Sequence, residues 1–288
     1  MLWFTLALLT AFFSATEAAV LKRYFSDLTS WEMTATPFVF LAPAFGITLF
    51  FLPTPEIQPG FWPLLLTILP INLCGLILHF RAFHHSPLSL TMPFLAITPA
   101  VVLATGYIFL GEVPAPMGAV GVIAIVVGSY VLARDPADSS ILGPFKALGR
   151  DSGALCMLGA ATIYGFMAVL GKSLILKSSP LFFACLFFCI FSVLILVTFR
   201  IAGKIRFAVL VSRPKKALAV AALIYAHILF HHLSISMVDA AYMMSIKRMN
   251  GIFSVFFGWW LFHETNMRAR LTGAALMAAG AAFIGIWG

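Results

Sequence analysis

The sequence predicts an all-α integral membrane protein, and its composition and apolar runs carry that prediction. Of the 288 residues, 62% are hydrophobic and only 10% are charged, whereas an average soluble domain has about 25% charged residues. The apolar runs are long enough to cross a hydrocarbon core of roughly 30 Å. They are continuous and do not alternate with period two, so they predict helices and not the strands of a barrel.

Ten apolar segments predict ten transmembrane helices. They cover 2–21, 33–52, 61–82, 87–110, 115–133, 153–172, 181–200, 216–235, 239–262 and 269–287. The longest loop, 134–152, is polar and rich in Gly, Pro and Ser. It divides the chain into a first five-helix unit, 1–135, a cytoplasmic linker, 136–150, and a second five-helix unit, 151–288.

The distribution of cations predicts the orientation in the cell membrane. The first apolar segment lacks a basic residue before it and is followed by Lys22 and Arg23, which favours a transmembrane helix over a cleaved signal peptide. Fourteen of the 18 Lys and Arg residues lie near the loops that follow odd-numbered helices, whereas the opposite loops hold Lys172 and Lys177. By the positive-inside rule, both termini are expected outside the cytoplasm.

An internal repeat becomes visible when the chain is shifted by 152 residues. The shift superimposes Glu112 on Glu264, Gly121 on Gly273, Gly128 on Gly280 and His79 on His231. Each predicted unit has an odd number of helices, so the two five-helix repeats should be inverted relative to each other in the membrane. Inverted repeats are typical of secondary transporters, whose substrate site lies near the midplane between the repeats.

The repeated segments resemble those of the drug/metabolite transporter superfamily, within it the EamA-like ten-helix proteins. In the first half "FLGE" (109–112) precedes "PMGAVGVIAIVVGSYVLA", and in the second "VFFGWWLFHE" (255–264) precedes "RLTGAALMAAGAAFIGIW". The resemblance implies transport of a small organic solute by alternating access, without ATP hydrolysis, through a cavity lined by helices one, three, four, six, eight and nine. Many members carry a basic residue early in the second helix, where this chain has Glu32.

Two adjacent cations, Lys247 and Arg248, interrupt the ninth apolar segment. They lie about eight residues, or roughly 12 Å, from its start. A cation near a helix centre costs about 2.5 kcal/mol or more, so such residues usually face a cavity. Snorkelling to the surface and an ion pair with Glu17 are alternatives. We favour anion binding, because Arg presents a planar fork to a carboxylate or phosphate and Lys adds a mobile charge.

Helical phase supports a cavity at this place. Lys247, Gly251, Ser254 and Gly258 fall on one stripe, with Asn250 beside it. A stripe of small and polar residues in a membrane helix faces protein or water and not lipid. Tight helix packing through the glycines is the alternative interpretation.

Both helix four and helix nine contain residues that favour a break. Asn250-Gly251 in the ninth segment aligns near Thr98-Pro99 in the fourth. Broken helices at corresponding places in two repeats are the best sequence indication of a transport site. Asn250 and Thr98 are therefore predicted to contact substrate, together with the hydroxyl or ring of Tyr242.

Other ionisable residues inside apolar segments complete the predicted site. His79 and His231 are predicted to line the cavity as hydrogen-bond donors or proton carriers, although satisfied core histidines are the alternative. His227 and His231 have the spacing of metal ligands on a helix, but no third ligand accompanies them, so neither a metal nor a cofactor is expected. Glu17 is the candidate for proton or ion coupling.

These predictions favour a secondary transporter of a small organic anion or carboxylate-bearing metabolite. Its expected partners are that solute and the lipid bilayer, without nucleic acid, and it is expected to be a monomer or homodimer. No Walker motif, Gly-rich phosphate loop or HExxH motif is present, so an enzyme is not expected. A proton-coupled exporter of hydrophobic cations centred on Glu17 and a flippase of lipids or lipid-linked sugars are the alternatives.

Overall fold

The computed structural model describes residues 1–86, 88–133, 148, 150–262 and 267–287, and within them it contains helices and turns but no strand. The helices are α1 (Leu2–Phe25), α2 (Ser30–Phe51), α3 (Phe61–His85), α4 (Leu88–Leu95), α5 (Thr98–Leu110), α6 (Pro116–Ala133), α7 (Ser152–Leu176), α8 (Pro180–Ile201), α9 (Phe207–Leu210), α10 (Pro214–Ile235), α11 (Ala240–Lys247), α12 (Asn250–Phe262) and α13 (Met267–Trp287).

The described residues include eight spans that are long and apolar enough to cross a membrane. These spans coincide with the first eight predicted segments, and the chain is a multi-pass membrane protein, as predicted. The ninth segment, 239–262, is divided between α11, of 8 residues, and α12, of 13 residues. Each is shorter than the roughly 20 residues that span a bilayer. The tenth segment contributes the apolar part of α13, Leu271–Trp287.

Several helices begin at side chains that satisfy their first backbone N–H groups. Thr29 caps α2 by accepting from the N–H of Glu32 at 3.2 Å, in the Thr-x-x-Glu pattern of a capping box. Asp151 caps α7 by accepting from the N–H of Ala154 at 2.7 Å. The Ser86 hydroxyl also donates to Asp151 and holds the pKa of this carboxyl below its usual range. This contact ties the end of α3 to the start of α7.

The fourth apolar segment breaks at Ala96-Ile97, between α4 and α5. Pro99 has no N–H to donate to the carbonyl of Leu95, four residues earlier. The hydroxyl of Thr98 donates to this carbonyl instead, at 2.8 Å. The Leu95 carbonyl is therefore hydrogen-bonded at the break, although little water can reach it there.

The ninth apolar segment breaks at Arg248-Met249, between α11 and α12. The N–H of Arg248 donates to the carbonyl of Ser245, and that of Met249 to Ile246, so the turn tightens to the spacing of a 3₁₀-helix. This break lies 152 residues after the break of the fourth segment. The predicted correspondence of the two breaks is confirmed, although each break lies just before the predicted pair, Thr98-Pro99 or Asn250-Gly251.

The helices α6 and α13 approach each other closely through two pairs of glycines. A Cβ on Gly121 would lie 2.7 Å from the carbonyl oxygen of Gly280, and a Cβ on Gly128 would lie 2.8 Å from that of Gly273. The pairs follow opposite orders along the two helices, so α6 and α13 are antiparallel. Small residues allow this close approach. The resulting van der Waals packing favours helix association in lipid.

The other principal contacts are related by the same 152-residue shift. The contact of α3 with α7 corresponds to that of α10 with α1. The contacts of α4 and α5 with α7 correspond to those of α11 and α12 with α1. The helices α2 and α8 correspond to each other and pack together. Exchanging the two halves leaves this set of contacts unchanged. The two breaks therefore face the interior from opposite halves of the chain.

We predict that Gly121→Ala lowers the free energy of unfolding by about 1 to 3 kcal/mol, because the new methyl group overlaps the Gly280 carbonyl. The measurement is thermal or denaturant-induced unfolding of the purified protein in detergent. Gly46→Ala is the matched control: its Cβ would make an ordinary 3.5 Å contact with the Sγ of Cys189. Equal destabilisation by both variants would contradict the proposed role of the close contact.

Candidate functional site

Arg248 occupies the turn between α11 and α12, where the chain leaves one short helix and begins the other. The residue is half-buried, and its Nε is enclosed without a hydrogen-bond partner among the described residues. A buried guanidinium N–H without a partner is costly.

His79 and Tyr164 both interact electrostatically with Arg248. The Nδ1 of His79, on α3, lies 3.3 Å from the hydroxyl of Tyr164, on α7. Gly75 allows the two helices to approach, because a Cβ there would lie 3.2 Å from the Tyr164 ring. His79 was predicted to line the cavity, whereas Tyr164 was not among the predicted site residues.

Lys247 precedes Arg248 but interacts with a different set of residues. Its charge acts on Glu17 of α1 and on His231 and His232 of α10. Within the described part of the chain, no carboxylate lies within 4 Å of its ammonium group. The two neighbouring cations therefore belong to different parts of the site.

Glu17 does have an ion-pair partner, but it is a histidine. The Nδ1 of His227 lies 3.1 Å from each carboxylate oxygen of Glu17. The structure thus joins the predicted coupling residue to a histidine that the sequence analysis weighed only as a metal ligand. Within the described residues, no three His, Cys, Asp or Glu side chains converge as metal ligands.

The remaining histidines of α10 differ in their surroundings. The ring of His232 is buried, packs against Phe183 and Phe188, and places Nδ1 2.7 Å from the carbonyl of Ile228. It is a satisfied core histidine. His231, the repeat partner of His79, has a buried Nδ1 without a partner among the described residues. Of the two, His231 retains a polar atom available to the site.

Three further predicted residues have other surroundings. The amide Nδ2 of Asn250 donates to the Ser14 hydroxyl at 3.4 Å, which ties the start of α12 to α1. Thr98 is fully buried, and its hydroxyl serves the break in the fourth segment. Tyr242 is 4% exposed and packs against Gly118 of α6. The Tyr242 hydroxyl, like the Arg248 Nε, is buried without a partner among the described residues.

A buried ion pair holds the start of α11. Lys172, at the end of α7, donates to Glu112 and, at 2.6 Å, to the carbonyl of Val238. The other oxygen of Glu112 accepts from the N–H of Ala240 at 2.8 Å, so this carboxylate caps α11. The sequence analysis treated Lys172 only as a loop cation; with its partners it fixes the short helix that ends at Lys247.

Glu32 stands where many EamA-like proteins carry a basic residue, and its contacts are local. Its carboxylate accepts from Arg206 at 2.8 Å and from the Thr29 hydroxyl at 3.0 Å. Arg206 lies in the segment between α8 and α9. Glu32 therefore stabilises the start of α2 and its link to this segment, and it is not among the residues around Arg248.

Ionisable groups at a broken helix inside a multi-pass helical protein are the arrangement expected of a membrane transporter. The model of the EamA-like transporter family matches residues 1–134 and 151–286, so both halves are matched separately. The chain belongs to this family, and it is a membrane transporter of the drug/metabolite transporter superfamily, as the resemblance implied.

Comparison with individual proteins adds the fold. No curated protein matches the chain. Among 28 matching chains of solved structures, one described as "Crystal structure of protein" has a TM-score of 0.70 at 14% sequence identity. The alignment covers 99% of this chain and 95% of that chain. At this identity the similarity concerns the fold alone.

We predict that Lys172→Met lowers the free energy of unfolding by about 3 kcal/mol, because it leaves the Glu112 carboxylate buried without its cation. The side chains of Lys172 and Glu112 are only 9% and 11% exposed. Thermal unfolding in detergent measures the change, and Glu112→Gln combined with Lys172→Met should recover part of it. Lys177→Met is the control, because Lys177 contacts a carbonyl near the surface. A loss no larger than that of the control would contradict the role of the pair.

Proposed function

We propose that the protein is a secondary-active transporter of a small organic anion, a metabolite that bears a carboxylate or phosphate. The observation that carries this proposal is the half-buried Arg248 at the break between α11 and α12, with an unpartnered Nε among the described residues. Arg binds carboxylate and phosphate through paired N–H groups. Tyr164 and His79 stand within reach of the Arg248 charge and can donate further hydrogen bonds.

The proposed substrate contacts centre on Arg248, with His79, Tyr164, His231 and Asn250 around it. Lys247 adds positive charge from the side of α1 and α10. An anion is favoured over a hydrophobic cation because two cations face the site, whereas its carboxylate, Glu17, is already engaged by His227. Thr98 and Tyr242 remain predicted substrate contacts, and the buried hydroxyl of Tyr242 has no partner among the described residues.

Ten transmembrane helices in two inverted five-helix repeats are part of the proposal. The units are 1–135 and 151–288, joined by a cytoplasmic linker at 136–150, with both termini on the non-cytoplasmic side of the plasma membrane. Support comes from the antiparallel glycine contacts of α6 and α13, the breaks related by 152 residues, and the family matches to 1–134 and 151–286. The excess of cations in the loops after odd-numbered helices supports the orientation.

Alternating access is the proposed mechanism, and an asymmetry in packing supports it. α11 packs on α5. Exchange of the two halves would produce the same contact between α4 and α12, but the described residues form no contact of comparable extent there. Rocking of one repeat against the other would exchange these two packing arrangements.

The test is a thermal-shift screen of the purified protein in detergent. The panel contains acetate, benzoate, citrate, inorganic phosphate and taurine, with tetraphenylphosphonium as a hydrophobic cation and glycerol phosphate as a lipid headgroup. A ligand present at about 100 times its Kd should stabilise the protein by roughly 2.7 kcal/mol. A metabolite anion should give the largest shift; stabilisation by the hydrophobic cation alone, or by the headgroup alone, would favour export of cations or a flippase instead.

We predict that Arg248→Gln weakens binding of the stabilising anion by about 10- to 100-fold, because a hydrogen bond to a charged group contributes roughly 1.5 to 3 kcal/mol. Arg248→Lys should recover only part of the affinity, since the paired N–H groups are lost. Arg200→Gln is the matched control, because Arg200 is exposed at the end of α8. Uptake of the anion into proteoliposomes should fall in parallel. Equal affinity and uptake in wild type and Arg248→Gln would refute the proposed site.

A further inference from the structure

The ion pair of Glu17 and His227 lies inside the membrane-spanning part of the protein and joins its two halves. The side chains of His227 and Glu17 are 14% and 19% exposed, so they are mostly enclosed by protein. Glu17 is on α1, within the first family match, and His227 is on α10, within the second. The pair therefore lies at the contact between the two halves of the chain, where α1 packs on α10.

A carboxylate paired with an imidazole can bind and release one proton. With the proton present, it lies between the Nδ1 of His227 and the Glu17 carboxylate, and the pair is neutral overall. Without it, His227 is neutral and Glu17 remains negative. The charge of Lys247 acts on Glu17 and compensates this negative charge. The deprotonated carboxylate is therefore not left without a counter-charge in a medium where an isolated charge is expensive.

Among the described titratable and charged groups, His231 and His232 of α10 interact electrostatically with His227. Lys247, at the break of the ninth segment, interacts with Glu17. His232 is bonded to Ile228, and Tyr225 lies 2.6 Å from the Thr48 hydroxyl. Arg248 faces His79 and Tyr164. Lys247 is therefore the cation placed to balance Glu17.

We propose that the Glu17–His227 pair is the proton-binding site of the transporter, with Lys247 as its counter-charge and Arg248 as the cation that binds substrate. The coupling role rests on the proposed function. No other bond forms or breaks: the proton comes from water in the cavity, binds at the Nδ1 of His227 as a donor to Glu17, and returns to water on release. Lys247 and Arg248, adjacent in sequence, thus serve different ligands.

The charges determine the direction of coupling. An anion bound near Arg248 adds negative charge to the cavity, which disfavours the deprotonated pair and favours the protonated one. By linkage, the proton then strengthens anion binding by the same factor. The anion and the proton should therefore be transported together. Because one proton is linked to anion binding, the anion affinity should rise by up to about tenfold for each unit by which the pH falls.

The first experiment needs no substrate. Infrared difference spectra of the protein reconstituted in vesicles are recorded between about pH 5 and about pH 9, the range in which carboxylate–imidazole pairs change protonation. The wild type should show a pH-dependent imidazole–imidazolium band together with a shift of a carboxylate stretch. His227→Gln should remove this imidazole band, Glu17→Gln should remove the carboxylate shift, and Glu56→Gln, an exposed control, should retain both. Spectra of both pair variants identical to the wild type, or the absence of both signals in the wild type, would overturn the proton site. Two independent variants keep the test valid if one fails to fold.

The second experiment measures the coupling. The affinity of the most stabilising panel anion is determined in detergent at several pH values for the wild type, Glu17→Gln, His227→Gln and Glu56→Gln. The wild type and Glu56→Gln should show the rise at low pH, and both pair variants should lose it. A pH-independent affinity in the wild type overturns the coupling. If no panel anion binds, the proposed function fails, and the infrared titration alone decides whether the pair binds a proton.

Discussion

Inside a membrane, each backbone and charged group must be satisfied by the protein itself, and the two broken helices depend on this constraint. The break of the fourth segment is possible because Thr98 supplies the hydrogen bond that Pro99 cannot. The break of the ninth is a tight turn whose N–H groups remain bonded, and the short helix before it is capped by Glu112 from the other half of the chain. These local solutions allow Arg248 to stand in the interior without further loss of backbone hydrogen bonds.

The charged interior is divided between two neighbourhoods, although its cations are adjacent in sequence. Arg248 belongs with His79 and Tyr164, which lie on α3 and α7. Lys247 belongs with Glu17 and the histidines of α10. The division arises because successive residues of a helix project about 100° apart, and the turn at Arg248 adds a change of direction. A single turn can therefore contribute to two sites with different ligands.

The sequence predicted the membrane-spanning architecture and the repeat because both depend on patterns along the chain. A shift of 152 residues superimposed Gly121 on Gly273 and Gly128 on Gly280, and the structure brings these glycines into reciprocal contact. Contacts between residues that are distant in sequence were harder to predict. Glu17 and His227 are 210 residues apart, and the partner of Lys172 lies 60 residues before it. Composition and helical phase assign a side chain to a face, but which side chain meets it depends on the packing of helices from both halves.

The position equivalent to Arg248 in the first half is Ala96, at the break between α4 and α5. In a symmetric dimer of two identical five-helix chains, any residue at one break would also occupy the other. Two guanidinium groups would then approach the same axis and repel each other, and both would need a counter-ion away from water. Joining the halves in one polypeptide removes that requirement, since the two copies can diverge. The protein can thus have a charged break opposite a neutral one, an asymmetry that a homodimer of one repeat cannot encode.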